Sequence, residues 1–128
     1  MSDLITVLYV EDNPPNVIVV ERIVESLGYR LIAATDGTSG LEMALKEKPD
    51  LILMDISLPD ISGLTVTAQI RADPVMGQVP IIAVTANAMV GDREKCLAAG
   101  CNEYLSKPLR LNIVVNTLKQ YLPQKSVS

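Results

Sequence analysis

The chain has 128 residues, a length typical of one domain, and its 48% apolar and 20% charged residues are the balance of a folded globular protein. It contains no His, no Trp and no Phe, and 11 basic against 15 acidic residues give a net charge of −4. The lack of His excludes a Ser–His–Asp triad, an imidazole zinc site and a phosphohistidine on this chain. The acidic charge and few aromatic residues argue against direct binding of nucleic acid.

Short apolar runs alternate with amphipathic stretches from one end of the chain to the other. The runs predict five strands, at residues 5–10, 30–34, 51–54, 80–84 and 102–106. The stretches between them predict helices that begin at residue 14, at residue 37 and at about residue 64, followed by helices over 91–99 and 111–122. Near-continuous apolar strands joined by crossover helices predict a parallel sheet covered on both faces.

The helical spacing of apolar residues predicts which helix faces are buried. In the helix that begins at residue 37 the predicted stripe is Leu41, Ala44 and Leu45. In the last helix the predicted buried face is Ile113, Val114, Leu118 and Leu122. We expect one domain over 1–128, with a core over 4–122 and a polar tail over 123–128 that frays.

Features of secretion and membrane insertion are missing from the sequence. Cys96 and Cys101 are too few for a disulfide framework and do not have C-x-x-C spacing, which indicates two free, packed thiols in a reducing compartment. The first apolar run ends at Glu11, too early for a signal peptide, and no run approaches the roughly 18 residues of a membrane span. The absence of these features predicts a cytoplasmic protein that does not bind membranes.

Polar side chains follow four of the five predicted strands. Glu11 and Asp12 follow the first strand, Asp55 ends the third, Thr85 ends the fourth and Lys107 follows the fifth. In open α/β sheets the carboxyl ends of the strands form the ligand-binding edge. We therefore expect three carboxylates, one hydroxyl and one ammonium group to lie together at this edge.

This set of groups predicts phosphoryl-transfer chemistry. Three clustered carboxylates repel one another, and a hard divalent cation with oxygen ligands, Mg²⁺, relieves the repulsion. Lys107 and Thr85 provide a positive charge and a hydroxyl donor for phosphoryl oxygens. A carboxylate can itself attack phosphorus, so the pattern favours transfer to an Asp.

Four motifs make the sequence resemble the receiver domain of two-component response regulators over residues 4–122. The motifs are Glu11-Asp12, the run Asp-Ile-Ser-Leu-Pro at 55–59 followed by Gly63, Thr85-Ala86 and Lys107-Pro108. The resemblance implies a doubly wound, five-stranded parallel sheet with five helices, which is the (βα)5 flavodoxin-like topology. It also implies a phosphoacceptor switch rather than an enzyme, with its output through contact with other proteins.

The resemblance implies roles for the residues at the sheet edge. Asp55 would accept a phosphoryl group from a phosphohistidine on a sensor histidine kinase or a histidine phosphotransfer protein. Asp12, Asp55 and the backbone carbonyl of Ser57 would bind Mg²⁺ directly, and Glu11 would act on it through water. Lys107 would pair with Asp55 before the reaction and with the phosphate after it.

The resemblance also implies a switch and a docking face. Thr85 would move toward the phosphoryl oxygen while Tyr104 turns inward, and the Lys107–Pro108 peptide bond would be cis. The face formed by helix 4, strand 5 and helix 5 would bind the downstream target. The side chains of Ser57 and Asn87 occupy positions that tune phosphoryl lifetime, and without a carboxylate there we expect a lifetime of minutes or longer.

Other interpretations of the sequence share parts of this pattern. A phosphorelay intermediate or a receiver segment of a hybrid kinase has the same motifs as a single-domain regulator. An unphosphorylated pseudo-receiver scaffold has the same fold, although here the acceptor Asp55 and Lys107 are both present. A flavodoxin-type electron carrier is disfavoured by the Glu-Asp-Asn-Pro-Pro stretch after strand one, and a haloacid-dehalogenase phosphatase by Ser57 in place of a second Asp.

Overall fold

The computed structural model describes residues 4–86 and 92–122. The strands are β1 (Thr6–Val10), β2 (Arg30–Ala34), β3 (Leu51–Asp55), β4 (Ile81–Thr85) and β5 (Glu103–Ser106). The helices are α1 (Pro14–Ser26), α2 (Gly37–Glu47), α3 (Gly63–Arg71), α4 (Asp92–Ala99) and α5 (Leu111–Tyr121). Within the described residues, no helix is both long enough and apolar enough to cross a bilayer.

The strands form one parallel sheet in the order β2-β1-β3-β4-β5. This order confirms the predicted doubly wound fold. The chain crosses from one side of β1 to the other between β2 and β3, so the topological switch point lies between β1 and β3, where ligands of open α/β sheets bind. The register aligns Val10 with Met54 and Asp55 with Val84, which brings the residues after β1 next to the end of β3.

The burial of each strand follows from its place in the sheet. Every residue of the three central strands is buried, because helices cover both faces of the sheet. The edge strands β2 and β5 are only partly covered. Two separate hydrophobic clusters result, one on each face; the first includes Tyr9, Val24 and Leu118, and the second includes Ile52, Ile70 and Cys96.

Short-range capping contacts explain why the helix starts were predictable. Asn13 is the N-cap of α1, and its side chain accepts a hydrogen bond from Asn16 N before the Pro14-Pro15 pair continues into the helix. Gly28 follows the end of α1 with a φ of 85°, a left-handed conformation that favours glycine. Asp36 caps α2 by accepting from Ser39 N at 2.7 Å.

Some predicted boundaries are wrong by one residue. Helix α3 begins at Gly63 rather than at about residue 64, because Ser62 caps it by accepting from Leu64 N. Strand β5 begins at Glu103 and helix α5 ends at Tyr121. The predicted start of α4 at residue 91 lies outside the described residues.

Two apolar residues predicted to be buried are exposed. Ile113 is 41% exposed and Leu45 is 38% exposed. The buried face of α5 consists of Val114, Thr117 and Leu118, and one step along a helix rotates a side chain by 100°, which turns Ile113 away from this face. Sequence spacing missed Thr117 because only apolar residues were counted toward the buried face. Thr117 can be buried because its hydroxyl donates to Ile113 O at 2.8 Å within the same helix.

Candidate functional site

Three carboxylates meet at the carboxyl edge of the sheet. Glu11 and Asp12 follow β1 directly, and Asp55 is the last residue of β3. Each of these side chains offers one oxygen atom, and these oxygens lie within 4.8 Å of one another. Glu11 and Asp55 are buried and Asp12 is exposed. The predicted acidic cluster is therefore formed, with one carboxylate facing solvent.

The ammonium group of Lys107 lies between the two buried carboxylates. Its Nζ is 2.7 Å from Glu11 Oε1 and 3.1 Å from Asp55 Oδ2. The contact with Asp55 is the one expected from the sequence, whereas the shorter contact with Glu11 was not predicted. Burial lowers the pKa of Lys107, but hydrogen bonds and charge from Glu11 and Asp55 outweigh it and raise the pKa above its ordinary value of 10.5. Lys107 therefore stays protonated at neutral pH.

The backbone around Lys107 fixes where its side chain starts. The Lys107–Pro108 peptide bond is cis, as the resemblance implied. Lys107 N donates to Thr85 O at 2.8 Å, so the residue after β5 is tied to the end of β4. The side chain thus begins beside the carboxylates that it contacts.

Glu11 is held by a set of donors that sequence reasoning missed. The hydroxyl of Tyr9 donates to Glu11 Oε1 at 3.0 Å, and Asn13 N donates to Oε2 at 3.2 Å. Burial, followed by the charge of Glu11, raises the pKa of Tyr9 well above its ordinary range. In the sequence Tyr9 is one apolar residue of a strand, and its spacing of two from Glu11, which places both on one face, is the only sign of the contact.

The chain behind Asp55 approaches it very closely. Ser57 N donates to Asp55 Oδ1 at 2.9 Å, and Gly63 N donates to Ile56 O at 3.0 Å. A Cβ atom on Gly63 would lie 2.1 Å from the carbonyl oxygen of Asp55. The glycine is therefore required for the loop to fold back onto the end of β3. The Ser57 side chain is exposed at this loop.

Asp60 anchors the same loop to α2. Its Oδ1 accepts from Gly37 N at 2.7 Å, and its Oδ2 accepts from Thr38 N at 2.9 Å and Thr38 Oγ1 at 2.6 Å. The hydroxyl bond from Thr38 and the backbone bonds hold the pKa of Asp60 well below its usual range. These contacts join residues 22 and 23 positions apart, and no local pattern marks them.

Thr85 and Tyr104 lie on the two strands at one side of the site. Thr85 is buried at the end of β4, beside a cleft of about 330 Å³ that Ser57 and Asp92 also line. Tyr104 pairs with Ala83 in the middle of β5, and its hydroxyl is buried without a hydrogen-bond partner among the residues that the structure describes. Burial, with the charge of Asp92, raises the pKa of Tyr104. Asn87 lies outside the described residues.

The donor set of the acidic cluster fits a magnesium ion. It consists of carboxylate oxygens, the ligands that Mg²⁺ prefers, and Asp12 is open to the solvent from which the ion would bring its remaining water ligands. Among the residues that the structure describes, the cluster holds three carboxylates, and the ammonium group of Lys107 contacts two of them. A divalent cation would balance the remaining negative charge.

Comparison with known proteins gives one consistent result. The sequence model described as the response regulator receiver domain matches residues 7–119. The polar-differentiation response regulator DivK of Brucella anthropi is 43% identical over 117 residues, which cover 91% of this chain and 95% of DivK. The DivK of Brucella ovis has the same identity and coverage.

Solved structures extend the comparison to the fold and the cleft. The receiver domain of sensor histidine kinase PA1611 from Pseudomonas aeruginosa, solved with magnesium coordinated in its active-site cleft, is 44% identical; the match covers 92% of this chain and 97% of that one with a TM-score of 0.85. The receiver domain of Saccharomyces cerevisiae Ssk1, solved with the histidine phosphotransfer protein Ypd1, is 29% identical. That match covers 92% of this chain and 88% of the other, with a TM-score of 0.83.

Proposed function

The chain belongs to the response regulator receiver domain family, and from this premise we propose that Asp55 is the residue that accepts the phosphoryl group. A receiver of this family is a phosphoacceptor switch rather than a catalyst, and it takes its phosphoryl group from a histidine kinase or a phosphotransfer protein. The observation that carries the assignment is the buried Asp55 carboxylate at a strand end, in contact with Lys107 and within 4.8 Å of two further carboxylates.

The reaction is an in-line displacement at phosphorus. An oxygen of Asp55 forms the new bond to phosphorus while the bond from phosphorus to the donor's imidazole nitrogen breaks, and the electron pair leaves with that nitrogen. The Lys107 ammonium turns to the phosphoryl oxygens, and the Thr85 hydroxyl donates to another of them. Bound Mg²⁺ supplies charge neutralisation; Asp12, Asp55 and the Ser57 carbonyl would hold it directly, and Glu11 through water.

Phosphorylation then changes a surface that a target protein binds. Thr85 moves toward the phosphoryl group, and Tyr104 packs inward beside α4 in response. The α4–β5–α5 face carries exposed Leu111 and Ile113 and a groove of about 450 Å³ beside Tyr104. An apolar, grooved face of this kind suits a protein partner. We propose that this protein, its phosphodonor and its target are all located in the cytoplasm.

The lifetime of the phosphorylated state is expected to be minutes or longer. Ser57 has a short, exposed side chain and Asn87 has an amide, so neither supplies a carboxylate to orient an attacking water molecule. The measurement is the decay of protein loaded with acetyl phosphate after the donor is removed. Decay within seconds would contradict this expectation.

A second candidate function is supported by one comparison. A similarity as high as that to the DivK proteins is found with the receiver of a sensor histidine kinase. This chain could therefore act as a receiver in a phosphorelay, which returns its phosphoryl group to a phosphotransfer protein. Incubation of the phosphorylated chain with purified phosphotransfer proteins separates the two functions, since only a relay receiver passes on its label rapidly.

Phosphotransfer profiling tests the proposed function. The purified histidine kinases and phosphotransfer proteins of the source organism are labelled and mixed with the wild type and with Asp55→Asn. We expect one of the donors to label the wild type within seconds and to leave Asp55→Asn unlabelled. The alternative is a pseudo-receiver scaffold. It would be supported if no donor labels the wild type and if beryllofluoride with Mg²⁺ changes no spectroscopic signal of the protein.

A further inference from the structure

We propose that Tyr9 is a positioning residue for phosphoryl transfer: its hydroxyl holds the Glu11 carboxylate in place when Lys107 leaves it for the phosphoryl group. The proposal rests on the function assigned to Asp55 above. It adds a residue that is given no contact with the phosphoryl group and no place as a metal ligand, and that acts through its hydrogen bond to Glu11.

The contacts around Glu11 show what Tyr9 contributes. Glu11 is only 1% exposed, so protein donors must replace the water molecules that would otherwise solvate its carboxylate. Two side-chain donors converge on the same oxygen, Oε1: the Tyr9 hydroxyl at 3.0 Å and Lys107 Nζ at 2.7 Å. The other oxygen, Oε2, accepts from Asn13 N at 3.2 Å.

The ammonium group of Lys107 contacts two carboxylates, whereas the hydroxyl of Tyr9 donates to one. The ammonium group that contacts Glu11 also contacts Asp55 Oδ2 at 3.1 Å. When it moves toward a phosphoryl group on Asp55, its contact with Glu11 therefore weakens. Tyr9 is fully buried in β1, and its ring packs in the first core cluster beside a small cavity of about 130 Å³, so this packing, rather than charge at Asp55, sets the position of its hydroxyl. Its hydroxyl is therefore the donor that stays with Oε1.

Loss of the hydroxyl would bind Lys107 more firmly to Glu11. A buried carboxylate with one donor fewer depends more on its remaining ammonium partner, because an unsatisfied buried charge is costly. Moving Lys107 toward the phosphoryl group would then cost more free energy. The expected consequence is slower phosphoryl transfer in a protein that is still folded.

The test compares Tyr9→Phe with Tyr29→Phe, a matched control that removes the hydroxyl of another buried tyrosine in the same core cluster. The rate of phosphorylation by acetyl phosphate is measured at saturating Mg²⁺, and Mg²⁺ affinity is measured separately by calorimetry. We expect about a tenfold lower rate for Tyr9→Phe, the size of effect that one hydrogen bond to a charged group can supply, and a rate near that of the wild type for Tyr29→Phe. In a Glu11→Ala background, Tyr9→Phe is expected to have no further effect on the rate.

Two results would overturn the proposal: a wild-type rate in folded Tyr9→Phe, or an equal loss of rate in the presence and absence of Glu11. A second measurement needs no variant, since the Tyr9 hydroxyl proton can be followed by NMR in the wild type. We expect it to stay protected from exchange when Mg²⁺ and beryllofluoride are added, and its loss would contradict the proposal. Labelling of Asp55→Asn would instead refute the acceptor assignment, so the two failures are distinct.

Discussion

At the scale of single residues, Gly63 shows how closely the loop after β3 packs on Asp55, the proposed acceptor. A methyl group at Gly63 would lie 2.1 Å from Asp55 O, a backbone atom that cannot move away alone. We predict that Gly63→Ala lowers the free energy of unfolding by about 1–3 kcal/mol, and that it also slows phosphorylation because the end of β3 is displaced. Urea unfolding and the acetyl phosphate rate measure the two effects.

Gly77→Ala is the control for Gly63→Ala. A Cβ atom on Gly77 would lie 2.7 Å from Asp73 O. This loop precedes β4 and therefore lies at the amino ends of the strands, whereas the carboxylates lie at the carboxyl ends. Gly77→Ala is expected to lower stability but to leave the phosphorylation rate of the folded protein unchanged. Equal phosphorylation rates for the two variants would contradict the role assigned to Gly63.

The buried thiol of Cys101 predicts how stability changes at alkaline pH. Burial raises its pKa from 9.0 to about 11, although the contact with Thr67 opposes part of this rise. Because the folded-state pKa is the higher one, its contribution to stability is complete below pH 9 and is lost as pH rises through 11. We predict that Cys101 accounts for about 1 kcal/mol of the loss between pH 8 and pH 10. Urea unfolding of Cys101→Ala tests this, and parallel pH profiles for variant and wild type would contradict it.

The residues that sequence reasoning identified and those that it missed differ in the range of their contacts. Asp55, Thr85 and Lys107 could be predicted because each stands at the end of a strand, and strand ends can be read from hydrophobic runs. Tyr9 and Asp60 could not, because their partners are fixed only when the chain is folded. A buried Tyr in a strand and an Asp in a loop are common without any such role.

At the scale of elements, Arg71 joins the end of α3 to three other segments. Its Nε donates to Gly100 O at 2.8 Å and its Nη1 to Val79 O at 2.6 Å, while Nη2 donates to Asn102 Oδ1 at 2.8 Å. Asn102 Oδ1 also accepts from Ile81 N, so the contact extends to the first residue of β4. One guanidinium group thus fixes α3, the turn after α4 and the entries to β4 and β5.

Removal of this guanidinium group is predicted to be costly. Arg71→Met keeps the apolar stem but leaves several carbonyl groups without their donor, and we expect a loss of about 2–3 kcal/mol in the free energy of unfolding. Urea unfolding provides the measurement. Arg22→Met, on the exposed face of α1, is the control and is expected to change stability by less than about 0.5 kcal/mol. Similar losses for the two variants would contradict the account of Arg71.

The starts of α1 and α2 were predictable because their caps are local in sequence. Asn13 and Asp36 each bond to a backbone N–H group three residues ahead, a pattern that the sequence displays directly. The errors in the predicted buried face of α5 arise from tertiary packing, which is not local in sequence. Ile113 and Thr117 differ in burial because of how the helix is rotated against the sheet, which hydrophobicity alone does not determine.

At the scale of the whole molecule, the charge of the acidic cluster links stability to Mg²⁺. Asp12 adds a third carboxylate within 4.8 Å of the two buried ones, which opposes folding until a cation binds. We predict that Asp12→Asn unfolds at a higher temperature than the wild type without Mg²⁺ and gains little when Mg²⁺ is added. The wild type is expected to gain about 2.7 kcal/mol at a Mg²⁺ concentration 100 times its Kd.

Thermal unfolding with and without Mg²⁺ measures this linkage, and Glu42→Gln controls for the change in net charge. Glu42 is exposed on α2, away from the cluster. This variant is expected to keep the full response to Mg²⁺. An equal Mg²⁺ response in Asp12→Asn and the wild type would contradict a metal site at this cluster.

The central claim is that the phosphoryl group is attached to Asp55, and locating the modified residue tests it most directly. Borohydride reduces an aspartyl phosphate to homoserine, so the phosphorylated chain can be reduced, digested and sequenced by mass spectrometry. We predict homoserine at position 55 in the wild type treated with a phosphodonor and Mg²⁺, and none in the untreated protein. Homoserine at position 12, or a phosphorylated chain with an unmodified Asp55, would contradict the account.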